Sequence, residues 1–127
     1  MSDKSIPERL FLKKGYRFLL LGEPPGYVAL MGSLPKGVVL VREPQSNLNI
    51  VQGFVKNQVE LETLLRTLQP YLTSTIPIWV CYPKGTSGIK TDINRDTIYR
   101  YVQTLSMTAN TMISIDSTWS ALRVKLL

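Results

Sequence analysis

Apolar residues in this chain come mostly in unbroken blocks rather than in alternation. Arg17 to Leu21 (R-F-L-L-L) is apolar after its first residue, Val38 to Val41 is wholly apolar, and Ile50 to Val55 and Ile76 to Tyr82 are nearly so. Short apolar runs bounded by turn residues predict strands covered on both faces, as in a parallel sheet. Gly53, inside the third run, predicts a close backbone approach. The clearest helical pattern is Leu61, Leu64, Leu65, Leu68 and Leu72, at i, i+3, i+4, i+7 and i+11. Asn57 and Glu60 give it a capping signature, and Pro70 predicts its distortion or end. Ile98, Tyr101, Val102 and Leu105 mark another amphipathic helix over about residues 94–105.

Weaker signals complete the order. Ser5 and Glu8 have capping-box spacing, predicting a short helix to Leu12 or Lys13 that Gly15 ends. Gly22 to Gly26 reads as a turn, and Tyr27 to Leu34 as a brief helix weakened by Gly32. Thr111 to Ile115 is β-rich, Asp116-Ser117-Thr118 is a turn, and Trp119 to Leu127 alternates cleanly. A tight turn between two strands makes them antiparallel. The order α-β-α-β-β-α-β-α-β-β predicts an α/β fold over residues 1–127 as one domain. Its sheet is the middle of three layers and mostly parallel, closing in a C-terminal antiparallel hairpin.

Composition removes several chemistries. The chain has 127 residues, no His and one Cys, Cys81, inside the fourth apolar run. No intrachain disulfide, Ser-His-Asp or Cys-His pair, His-ligated metal or structural zinc site can form, so acid–base work would fall to Asp, Glu, Lys or Tyr. Cys81 reads as a buried small hydrophobe. Met1 to Ser5 opens no signal peptide and no apolar run is long enough to span a bilayer, so the expectation is a cytoplasmic protein without a membrane partner.

The net charge of +6 points towards an anionic partner. Cations gather in and after the loop that follows the fourth strand, P-K-G-T-S-G-I-K-T-D, and a helix starts at Asp92 to Asn94. Strand, Gly-rich basic loop and helix form a layout that presents N–H groups and cations to an anion. The loop lacks the Walker A spacing. Nucleic acid ranks lower as a partner, because no aromatics interleave with a basic stripe.

Four segments carry a resemblance: L-L-L-G-E-P-P-G-Y at Leu19 to Tyr27, W-V-C-Y-P-K-G-T-S-G-I-K-T-D at Trp79 to Asp92, N-R-D at Asn94 to Asp96, and I-D-S-T-W-S-A-L-R at Ile115 to Arg123. They resemble a small bacterial family of uncharacterised methyltransferase-like domains. The chain is similar, in shortened form, to the Rossmann-like fold of S-adenosylmethionine-dependent methyltransferases. That resemblance implies a cofactor turn at Gly22 and Gly26 and a ribose-holding carboxylate at Glu43. The turn departs from the family pattern, since Pro24 and Pro25 lie between its glycines and each removes an N–H donor.

A methyltransferase-like strand order would bring four segments to one rim: residues 22–26, 42–44, 83–91 and 116–119. Thr118 and Trp119 would then lie beside Pro83 and Lys84. Lys84, Gly85, Ser87, Gly88, Lys90, Arg95 and Thr118 form the candidate anion site. In the competing structural reading, Asp92 caps the following helix and Asp116 pairs with Lys84, Lys90 or Arg95. The favoured expectation is a non-catalytic domain binding a small anionic ligand or a protein partner. The alternative is a divergent S-adenosylmethionine-dependent methyltransferase.

Overall fold

A computed structural model describes residues 4–127. Met1 to Asp3, the start of the segment read above as opening no signal peptide, lie outside the described residues. The strands are β1 (Arg17–Leu21), β2 (Val39–Val41), β3 (Ile50–Phe54), β4 (Ile78–Pro83), β5 (Met107–Ser114) and β6 (Trp119–Leu126). The helices are α1 (Ile6–Arg9), α2 (Tyr27–Met31), α3 (Gln58–Leu68) and α4 (Arg95–Gln103), with a 3-10 turn over Gln69–Tyr71.

One sheet holds the strands in the order β2-β1-β3-β4-β6-β5. The first four are parallel, and β6 runs antiparallel to both β4 and β5. β1 pairs with β2 on one side and β3 on the other, so the winding reverses at β1 and β3. The apolar runs work as expected in β1, β3 and β4, whose central residues are buried. β2 differs. It is an edge strand with Val39 exposed, because a run of apolar residues does not itself reveal whether a strand is central.

Each face of the sheet has its own core. On one side Leu19, Val51 and Val80 pack with Leu61, Leu64, Leu65 and Leu68 of α3 and Ile98 and Val102 of α4. On the other Phe18, Leu20, Trp79, Cys81 and Trp119 pack with Ile6 and Leu10 and with Tyr27 and Met31 of α2. α1 and α2 have four and five residues, so this second layer is thin.

The caps explain where helices begin and end. Ser5 and Glu8 form the expected capping box, which holds the Glu8 carboxyl below its ordinary range. α1 stops at Arg9 rather than near Leu12. Phe11 turns left-handed at φ 60°, and the Phe11 and Leu12 N–H groups bond back to the Glu8 and Pro7 carbonyls. That is a Schellman closure with Phe where Gly is usual. Asn57 caps α3, but the Glu60 carboxylate reaches the Lys56 N–H at 2.8 Å rather than that of Asn57. Pro70 falls in the 3-10 turn that ends α3. Asn94 caps α4 through a reciprocal box with Thr97. β5 begins at Met107, earlier than its β-rich residues indicated, just after left-handed Ser106.

Candidate functional site

The carboxyl ends of the strands carry a cleft of about 490 Å³. One wall is the Pro24-Pro25-Gly26 turn with Tyr27 and Leu30, and the facing wall is Asp116, Thr118 and Trp119. Lys56, just beyond β3, and Ile89, from the basic loop, complete it. Three of the four segments expected at this rim therefore meet. The fourth joins indirectly, through an ion pair between Arg42 and Glu23.

Residues that build the cleft also close the sheet. Gly22 is left-handed at φ 71°, and a Cβ there would lie 2.8 Å from the Phe54 carbonyl oxygen. The first glycine of the turn thus lets β1 and β3 end side by side. Gly26, also left-handed, precedes α2 and faces open space. Glu43 is exposed, while Arg42 pairs with Glu23. Its carboxylate is not among the cleft's walls.

Under the cleft lies a stack of rings. Tyr27 and Phe54 meet edge to face at 4.8 Å, as do Phe54 and Trp119 at 5.1 Å. Gln52, fully buried in β3, donates to the Tyr27 hydroxyl at 2.6 Å and to the Cys81 sulfur at 3.4 Å. Its own side-chain carbonyl oxygen is buried without a partner among the described residues. Burial pushes the Cys81 thiol up to about 12 and also raises the Tyr27 phenol above its ordinary range. Both stay protonated at neutral pH, and neither is a nucleophile.

The expected neighbourhood of loop and hairpin is present. Pro83 is in register with Trp119, and the Lys84 N–H donates to the Thr118 carbonyl at 2.8 Å. The candidate anion ligands, however, hold positions within the fold. Lys84 Nζ donates to Ser114 Oγ at 2.7 Å. The Ser87 hydroxyl accepts from the Ile89 N–H and that of Thr91 from the Ile93 N–H, which fixes the loop's bends. Gly85, Gly88, Lys90 and Arg95 are exposed, and Arg95 makes an exposed ion pair with Asp96. Thr118 alone of the seven lines the rim cleft.

Two carboxylates act differently from expectation. Asp92 accepts from the Gln58 N–H at 2.8 Å, capping α3 rather than α4, because Asn94 already occupies the α4 cap. Asp116 takes the Thr118 and Trp119 N–H groups, both at 2.8 Å, and so shapes the hairpin turn instead of pairing with a cation. Sequence reasoning missed Lys56 and Gln52. The signal for Lys56 was its place directly after the third strand, and for Gln52 a lone amide inside an apolar run.

Three solved structures share this architecture. A ribosomal-protein methylase from Lactobacillus delbrueckii subsp. bulgaricus is 9% identical over 94% of this chain and 74% of its own, with TM-score 0.58. An rRNA methylase from Streptococcus thermophilus is 11% identical over 100% and 99%, with TM-score 0.54. LepI, in a complex with SAM, is 12% identical over 96% of this chain, with TM-score 0.54. The chain has a methyltransferase-like, Rossmann-like fold. It spans 39% of LepI. At these identities the likeness concerns the fold alone. No protein-family model and no curated protein matches the sequence. Seen in the methyltransferase-like frame, the rim cleft lies at the strand ends where ligands of such sheets bind. Among the described residues no helix is long and apolar enough to cross a membrane.

Proposed function

We propose that this chain is a ligand-binding domain on a methyltransferase-like fold, without catalytic chemistry of its own. Its ligand occupies the rim cleft. The observation that supports this reading is the cleft's composition. Tyr27, Trp119 and Ile89 offer apolar surface, Lys56 an ammonium and Thr118 a hydroxyl. Two of the cleft's groups that could move a proton are occupied: Tyr27 is held protonated by burial, and the Asp116 carboxylate takes two N–H groups. Such a cleft suits a small organic molecule with a flat apolar part and an anionic group at Lys56. In this reading the basic loop holds the hairpin in place, and Lys90 and Arg95 add positive potential around the rim.

Native mass spectrometry of freshly purified protein tests it. The expected result is a bound organic molecule that Lys56→Ala releases. Protein without a bound molecule, giving no thermal shift with any of a panel of organic anions, overturns the proposal.

A second reading, a divergent S-adenosylmethionine-dependent methyltransferase, draws support from the fold and from LepI, whose structure is a complex with SAM. It predicts a saturable rise in Tm with S-adenosylmethionine, about 10 °C at a hundredfold excess over Kd. Pro24 and Pro25 argue against that outcome, since the turn lacks two donors that a gripped cofactor would use.

A further inference from the structure

At the opposite end of the sheet, the beginnings of the parallel strands enclose a separate cleft of about 320 Å³. Its lining includes Phe11, Lys13, Tyr16, Asn49 and Arg123. Arg123 sits in register with Trp79 on one side and Thr111 on the other. Directly opposed residues of antiparallel strands share a face, so Arg123 projects to the side that α1 covers. There the Trp79 indole N–H donates to the Leu10 carbonyl at 3.1 Å, tying the end of α1 to the sheet.

The Arg123 side chain, of a half-buried residue, makes no hydrogen bond and no ion pair with the described residues. Its guanidinium nitrogens are not buried, so their N–H donors stand open to an external acceptor in the cleft. The rest of the cleft matches. No carboxylate lines it, and Lys13 is a second cation. The Asn49 carbonyl oxygen is taken by the Arg17 N–H at 2.7 Å, which leaves its NH₂ as the free half. Phe11, left-handed where Gly is usual, is 53% exposed at the lip.

We propose that this cleft is a second binding site, independent of the rim cleft, for a small organic anion. A carboxylate or phosphate would be held by Arg123 and Lys13, and its flat apolar body would rest against Phe11 and Tyr16.

The test is titration of the ¹⁵N-labelled full chain with phenyl phosphate, benzoate and inorganic phosphate, followed by ¹H–¹⁵N spectra. Saturable shifts of the Phe11, Tyr16 and Asn49 amides are expected, with phenyl phosphate or benzoate binding at least tenfold more tightly than inorganic phosphate. The tighter of the two organic probes identifies the anionic group. Arg123→Gln should weaken the binding reported by these three amides tenfold or more, and Lys13→Ala and Phe11→Ala several-fold, while Lys56→Ala, which can alter binding only at the rim, leaves the shifts of these three amides as they were. Lys13 and Phe11 are exposed, so their variants keep the test valid if Arg123→Gln fails to fold. Non-saturable shifts, shifts confined to the rim, equal affinity for inorganic phosphate, or unchanged binding in both Lys13→Ala and Phe11→Ala would each overturn the proposal.

Discussion

Two glycines set the tolerances around the rim. Gly22→Ala combines a left-handed backbone with a clash against the Phe54 carbonyl, so it should cost more than about 2 kcal/mol in urea unfolding. Gly53→Ala meets Leu64 Cδ2 at 2.6 Å. The sequence suggested a backbone approach there; what arrives is a leucine of α3, and overpacking of this kind costs about 1–3 kcal/mol. A glycine in a strand therefore signals crowding without saying what crowds it. The Tyr27-Gln52-Cys81 cluster gives the molecule an alkaline limit. The Cys81 thiol, raised by burial from 9.0 to about 12, keeps its proton in the folded state after the unfolded chain has lost its own. Stability is thus complete below pH 9.0 and falls as pH rises towards 12. The slope is about 1.4 kcal/mol per pH unit for one such group. The raised Tyr27 phenol acts in the same direction. Urea unfolding of Cys81→Ala from pH 8 to 11 should show a flatter decline than the parent protein.

Among the helices, α3 was the most legible, whereas α1 and α2 end at Arg9 and Met31, short of the Leu12 and Leu34 that the sequence indicated. Leucine spacing located α3 and an asparagine cap located its start, because both signals are local. Their partners across the fold were not legible. Asp92 precedes α4 in sequence yet caps α3, since the cap it would have supplied belongs to Asn94. Asp92→Ala should therefore cost about 1 kcal/mol and loosen amide protection in the first turn of α3, leaving α4 intact. Asn94→Ala should do the reverse. Hydrogen exchange of the two variants separates these outcomes. β2 was misjudged for a related reason: V-V-L-V reads as buried, and only the strand order reveals that one side has no neighbour.

For the whole molecule, block-like apolar runs declared the α/β class, and the closing hairpin declared one reversed strand. The rim was expected from the resemblance, and three of its four segments line one cleft. The site's chemistry was less legible. Basic residues near a glycine-rich loop suggest an anion cradle, but Lys84, Ser87 and Thr91 spend their polar groups on the loop's own shape and on the hairpin. The layers are also unequal, with nine- and eleven-residue helices on one face against four- and five-residue helices on the other. Amides of β3 and β4, central in the sheet, should exchange most slowly, and those of β2 and α2 fastest.

β6 follows β5 in the chain but stands between β4 and β5 in the sheet. While a ribosome is still delivering Trp119–Leu126, β5 has no partner and one flank of β4 is bare. The nascent chain must leave that gap open and admit its latest strand into the middle of an assembled row. For this fold, the hazard of pairing with a stranger lasts until β6 has been delivered and seated.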